Sequence, residues 1–281
     1  MTDATLPNFE VMGIVNVTPD SFSDGGRYLD PGAAIGHGLE LAAQGAAILD
    51  IGGESTRPGA EPVAVEEELR RVLPVIEGLA AAGGGGAGGP GAAGGLRISI
   101  DTSKAEVAAA ALDAGATMVN DVTALRAAPE IAGIVATRDA QLCLMHMLGT
   151  PRTMQHDPRY DDVVADVKRF LEERLRFATD HGVPEERILL DPGIGFGKTT
   201  EHNLELLRRL PELVAIGRPV VIGTSRKGFL GRLTGRTIPA ERVAASVASG
   251  VIAYERGARV FRVHDVAPMV DALRVAAATV A

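Results

Sequence analysis

The stretch Arg187–Thr199 reads RILLDPGIGFGKT, and its spacing decides the fold. A short apolar run, Arg187–Leu190, meets Asp191 and Pro192, passes three glycines at alternate positions, and hands over to a helical pattern at Thr200. A strand that enters a helix through glycines is how nucleotide-binding βαβ units begin, so two such readings compete. Both fail. Gly193, Gly195 and Gly197 do not form G-x-G-x-x-G, and Pro192 stands where the Walker pattern needs its first glycine. A strand followed by a helix is what remains, and that unit recurs along the chain.

Apolar runs at Val11–Val17, Ala47–Ile51, Arg97–Ile100, Thr117–Asn120, Gln141–Met145, Arg187–Leu190, Pro219–Ile222 and Arg259–Val263 read as strands. They are continuous rather than alternating, as expected of strands covered on both faces. Helical spacing fills the intervals at Pro31–Gln44, Val65–Ala82, Lys104–Ala114, Pro129–Arg138, Asp161–His181, Thr200–Ile216, Pro239–Arg256 and Ala267–Val280. In Asp161–His181, Val164, Val167, Leu171, Leu175 and Ala178 recur every three or four residues, with Lys168, Arg169, Glu172 and Glu173 on the other face. Eight βα units within 281 residues suit one closed (β/α)8 TIM barrel, an α/β fold, better than two doubly wound domains. The expected organisation is therefore a single domain over residues 1–281. Gly83–Gly95 holds nine Gly, three Ala and one Pro, too little apolar surface to offset its ordering entropy. It is expected to be a flexible loop on the face away from any site, tolerant of length changes.

Composition narrows the function. Apolar residues make up 46% and charged residues 23%, aromatics only 4% with no Trp, so small aliphatic side chains must fill the core. A formal charge of −8 argues against broad nucleic-acid or anionic-membrane binding. The one cysteine, Cys143, can form no internal disulfide and is expected to pack in the fifth strand. No apolar run reaches the roughly 18 residues of a membrane span, and Met1–Phe9 lacks a signal-peptide pattern. The expectation is a cytoplasmic protein.

Barrel enzymes place their chemistry at the C-terminal strand ends. Those ends carry Asn16; Glu54, Thr56 and Arg57; Asp101; Asn120 and Asp121; His146; Asp191; Ser225, Arg226 and Lys227; and Arg262 and His264. Taken singly, Asp101 or Asp191 reads as a helix N-cap and Lys227 as a solvated charge. All eight strand ends carrying polar groups onto one rim reads as a ligand site. Asp101, Asn120, Asp191 and Lys227 suit a flat heterocycle with amino, ring N–H and carbonyl edges. Asn16, Arg262 and His264 suit an anion such as a phosphate, alone or with a divalent cation. Thr18–Gly26 and Gly52–Ala60 lack any periodicity, and Phe22 and Arg57 within them point to mobile lids rather than plain turns.

Eight segments, in order, then resemble the bacterial dihydropteroate synthase family: MGIVNVTPDSFSDGG (12–26), DIGGESTRPGA (50–60), SIDTSKAEVA (99–108), VNDV (119–122), LMHMLGTPRTMQ (144–155), LDPGIGFGK (190–198), GTSRKGF (223–229) and FRVHDV (261–266). The resemblance implies a transferase that condenses 6-hydroxymethyl-7,8-dihydropterin diphosphate with 4-aminobenzoate, assisted by Mg2+, and that sulfonamides inhibit. It implies pterin contacts at Asp101, Asn120, Met145, Asp191 and Lys227, and aminobenzoate contacts at Thr56, Arg57, Phe196 and Ser225. Asn16, Arg262 and His264 would hold the diphosphate, with Asn16 as metal ligand and Asp24 in the first loop. Asp101, Asp191, Lys227, Arg262 and His264 would carry the catalysis. A homodimer is implied too. Two other readings stay open at this level. One is a pterin-recognising corrinoid methyltransferase barrel; the other is a degenerate paralogue kept for binding.

Overall fold

The computed structural model describes residues 9–18, 30–56, 59–83 and 95–280. Its strands are β1 (Glu10–Asn16), β2 (Ile48–Gly52), β3 (Arg97–Asp101), β4 (Met118–Asp121), β5 (Gln141–Met145), β6 (Ile188–Asp191), β7 (Val221–Ile222) and β8 (Val260–Val263). All pairings are parallel, in the order β6-β5-β4-β3-β2-β1-β8-β7. A bridge between Leu190 and Val220, with Leu190 N donating to Pro219 O at 3.0 Å, brings the two ends of the sheet together. The result is a (β/α)8 barrel.

Around it lie α1 (Pro31–Ala43), α2 (Val65–Ala81), α3 (Ala105–Asp113), α4 (Ile131–Thr137), α5 (Val163–Asp180), α6 (Thr200–Arg208), α7 (Leu210–Val214), α8 (Gly228–Thr234), α9 (Val243–Glu255) and α10 (Val266–Val280). The periodic segment 161–181 folds as expected. Asp162 caps α5 by accepting from Val164 N at 2.9 Å and Ala165 N at 3.1 Å, and the apolar stripe from Val164 to Ala178 is buried. One expectation needs correction and one element is new. The helix expected over 200–216 breaks at Arg209, because Pro211 sits in the first turn of a new helix, where its missing N–H costs nothing. The short helix α8 follows β7 in the stretch 223–238, to which the sequence reading assigns no element.

Alternation along the strands explains the site's position, since residues two apart share a face. Inside the barrel, Met12, Ile48, Met118, Cys143, Leu189, Val221 and Val260 form one apolar layer. Below it, Arg97 donates to Glu10 and, at 2.8 Å, to Gln141 Oε1. One pleat above it come Ile14, Asp50, Asn120, Met145, Asp191, Gly223 and Arg262. The outward set, including Val15, Leu49, Ile51, Ile98 and Ile100, packs against Leu41, Val72, Ile76 and Leu79 of the helices.

Cys143 is buried in the inner layer, and burial pushes its thiol well above the ordinary range. Residues 84–94 of the glycine-rich stretch lie outside the described residues. Its two ends, Gly83 and Gly95, sit side by side on the N-terminal face: a Cβ added to Gly95 would lie 3.3 Å from Gly83 O.

Candidate active site

At the C-terminal ends of the strands, one pocket is lined by Asp101, Asn120, Met145, Asp191, Phe196, Ser225, Lys227, Arg262, His264 and Thr56. These ten are all residues the sequence singles out. Ile14, Val122 and Gly223 complete the lining and escape that reading. Asn16 stands at the rim beside Asp101: a Cβ on the intervening Gly52 would touch Asn16 Oδ1 and Asp101 Cβ, each at 3.6 Å. Asp24 and Arg57 lie outside the described residues.

The floor of the pocket is an ionic net. Asp50 is fully buried, and its Oδ2 accepts from Arg262 Nε at 2.6 Å and from Asn120 Nδ2 at 3.1 Å. Arg262 Nη2 donates to Asp101 Oδ2 at 2.7 Å. Arg262, read from sequence as an anion ligand, is thus bonded by two of its three nitrogens to carboxylates of the floor. Asp50 is the functional residue that sequence reading overlooks. The signal was present, since a carboxylate inside the apolar run Ile48–Ile51 must face the barrel interior and needs partners there.

The opposite wall comes from the β6–α6 loop. Asp191 Oδ1 accepts from Gly193 N at 2.7 Å, tying the carboxylate to the start of that loop. This is part of the bland capping reading, yet Asp191 also lines the pocket, and the true N-cap of α6 is Thr199. Lys227 Nζ donates to Ile194 O and lies 4.5 Å from the centre of the Phe196 ring. Ser225 Oγ accepts from His264 N at 3.1 Å and meets His264 Nδ1 at the same distance.

Burial sets the charges. Desolvation raises the Asp101 carboxyl to about 7, against the pull of Arg262 and with the push of Asp50 and other acids. It also raises Asp191, opposed first by Lys227. The Lys227 ammonium is brought down to about 8 by desolvation, which Asp191 resists. Desolvation works against Arg262 too, but Asp50 and Asp101 more than offset it and raise it further. Three carboxylates facing two cations leave the ionised pocket short of one positive charge, which favours a ligand that gains positive character.

Four rim residues do not join the pocket. Asp121 accepts from Thr123 N and Thr123 Oγ1 at 2.7 Å and from Leu125 N at 2.6 Å, holding a turn in which Ala124 and Leu125 have positive φ. Glu54 pairs with Lys104, which also holds the buried Glu68. Arg226 pairs with Asp265, its Nε 2.9 Å from Oδ2. His146 turns toward Phe170 and Lys198.

Comparison with known proteins agrees with this geometry. The sequence profile of the pterin binding enzymes matches residues 12–264. The dihydropteroate synthase of Escherichia coli strain K12 is 45% identical over 278 residues, covering 99% of this chain and 94% of that one. The structure of Xanthomonas albilineans dihydropteroate synthase with 4-aminobenzoic acid superposes with a TM-score of 0.87 at 54% identity, covering 97% and 93% of the two chains. The same enzyme in complex with 7,8-dihydropteroate gives a TM-score of 0.84 at 51% identity, covering 97% and 94%. The chain belongs to the pterin-binding enzymes, and relatives that match it almost end to end are dihydropteroate synthases.

Proposed function

We infer that this protein is a dihydropteroate synthase, condensing 6-hydroxymethyl-7,8-dihydropterin diphosphate with 4-aminobenzoate to give 7,8-dihydropteroate and diphosphate. The carrying observation is the floor in which Asp50 and Asp101 grip Arg262 while Asn120 and Asp191 line the same pocket. Amino and ring N–H edges of the pterin would donate to Asp101, Asp191 and the Asn120 amide oxygen. The Lys227 ammonium would donate to its carbonyl edge, with Met145 packed against the ring.

The amine nitrogen of aminobenzoate attacks the exocyclic methylene carbon. The carbon–oxygen bond to diphosphate breaks, its electron pair leaves with the diphosphate, and the amine then loses one proton. Positive character passes onto the methylene and the pterin ring, where Asp101 and Asp191 stabilise it electrostatically. Thr56, Arg57, Phe196 and Ser225 would surround the arylamine, with Asp24 on the neighbouring loop. An arylamine has its lone pair free near neutral pH, so no strong base is required.

Asn16, His264 and the remaining edge of Arg262 would hold the diphosphate. Among the described residues, no group of three or more His, Cys, Asp or Glu side chains is placed to hold a metal, and Asn16 offers a single neutral oxygen. That donor set fits Mg2+ brought in on the diphosphate, since Mg2+ keeps several waters and needs only one or two protein ligands beside substrate phosphates. Held by Asn16, it would supply charge neutralisation of the leaving group.

The homodimer is supported by apolar side chains left exposed near the α8–α10 side: Leu233 54%, Ile238 55%, Ile252 41% and Val275 66%. The cytoplasmic reading is supported by a thiol that is lone and buried. No described helix is long and apolar enough to cross a membrane.

A steady-state assay with dihydropterin diphosphate and 4-aminobenzoate, run with and without Mg2+, tests the function. Dihydropteroate and diphosphate should appear in equal amounts, faster with Mg2+. Absence of diphosphate release would reject the synthase in favour of another pterin-binding activity, such as methyl transfer.

A further inference from the structure

One buried lysine plays no part in the chemistry above. Lys198, at the end of the β6–α6 loop, is 1% exposed. Burial pushes its amine well down from the usual lysine range, and Nζ has three partners: it donates to Gly193 O at 2.9 Å and Phe196 O at 3.0 Å and meets His146 Nδ1 at 2.9 Å. A surface lysine needs no such tripod. A buried one is costly unless every donor is used, and it is tolerated where it organises its surroundings. His146 suits the third position: burial first, then the neighbouring Lys198, brings it down to about 2, so its ring is neutral and pairs with Nζ through Nδ1 without adding a second charge.

The loop that Lys198 grips from beneath is the one that builds the pocket wall above. Gly193, Gly195 and Gly197 have φ of +66°, +84° and +64°, so the turn is glycine-dependent at every second residue. It is also wedged in place. A Cβ on Gly193 would lie 1.8 Å from His146 O, and one on Gly195 would lie 2.9 Å from Lys227 Cδ. Within the same turn, Ile194 O receives Lys227 and the Phe196 ring covers that ammonium at 4.5 Å. The carbonyls of Gly193 and Phe196 therefore point down to Lys198 while the Phe196 side chain points into the pocket.

We propose that Lys198 is a positioning residue for the second substrate: by holding the carbonyls of Gly193 and Phe196 against His146, it fixes the Phe196 ring where 4-aminobenzoate must lie. This rests on the synthase reading. Asp50, Asp101, Asn120 and Arg262 of the pterin floor lie apart from the tripod, whereas Asp191 and Lys227 meet the same loop at Gly193 N and Ile194 O, so loss of the tripod should harm the arylamine more than the pterin.

The test is Lys198→Met, with His146→Leu as the second variant should the first not fold. The KM for 4-aminobenzoate should rise about tenfold or more, because small misplacements of positioning groups are expensive. Affinity for the dihydropterin diphosphate should fall several-fold less than that, since Asp50, Asp101, Asn120 and Arg262 keep their own contacts, a split that general destabilisation would not produce. The double variant should lose no more than the worse single one, since both changes dismantle one unit. An unchanged KM for 4-aminobenzoate in both variants, or equal losses for both substrates, overturns the proposal. Wild-type turnover in the same experiment separates this outcome from failure of the synthase reading, in which no variant or parent would be active.

Discussion

Arg262 Nη2 lies 2.7 Å from Asp101 Oδ2, joining residues 161 positions apart across the top of the barrel. The contact decides the state of the acid. Burial lifts Asp101 to about 7, and without the guanidinium it would go higher still. In the proposed reaction Asp101 would be ionised to balance a cationic ring, while Lys227, brought to about 8, would be protonated to donate. On that reading, protonation of Asp101 would remove activity on the acid side and deprotonation of Lys227 would remove it on the alkaline side. The profile of kcat/KM for the pterin substrate should therefore be a bell with limbs near these two values. Lys227→Arg should move the alkaline limb upward, and a flat profile from pH 6 to about 9 would contradict the assignment.

Asp50 carries a prediction about stability. Asp50→Ala leaves Arg262 Nε and Asn120 Nδ2 without their acceptor inside the barrel. The expected loss is about 3–5 kcal/mol, as when one member of a buried ion pair is removed. Urea unfolding measures it. Asp50→Asn retains one carbonyl acceptor and should lose less.

Lys227 and Asp191 line the same pocket and each shifts the other's titration, so removing either takes away the opposite charge that acts most strongly on the other. Lys227→Ala and Asp191→Ala should each weaken pterin binding by about 2–3 kcal/mol, roughly 30- to 150-fold. Calorimetric titration with a pterin ligand reads this directly, and unchanged affinity in both variants would remove the pterin assignment.

The exposed apolar side chains predict a change of mass. Ile252→Asp on α9 puts a charge at a position 41% exposed in the single chain. Light scattering should show the parent as a dimer and the variant shifted toward monomer, with the far-ultraviolet circular dichroism unaltered. A monomeric parent would refute the homodimer.

Most of the barrel is legible in the sequence because its two periods are strong there. The strands are short apolar runs, and helices such as α5 carry a clean stripe. What escapes is local. The split at Arg209 depends on Pro211 occupying a helical first turn, where proline is welcome, rather than an interior, where it is not. The helix α8 spans seven residues, too few for a period to show. For the site, the decisive variable is side-chain direction. Asp101, Asp191 and Arg262 point inward because they continue the Ser99, Leu189 and Val260 faces. Asp121 follows Asn120 by one residue, so it falls on the other face and serves a turn instead. Asp50 obeys the same rule in reverse, as a continuation of Ile48 hidden in an apolar run.

The adjacency of Gly83 and Gly95 has a practical use. Two backbone points that nearly touch, on the face turned away from the pocket, form a natural splice point. A compact reporter such as a fluorescent protein, spliced between them, would enter and leave at the same place and leave the chemistry at the far end undisturbed.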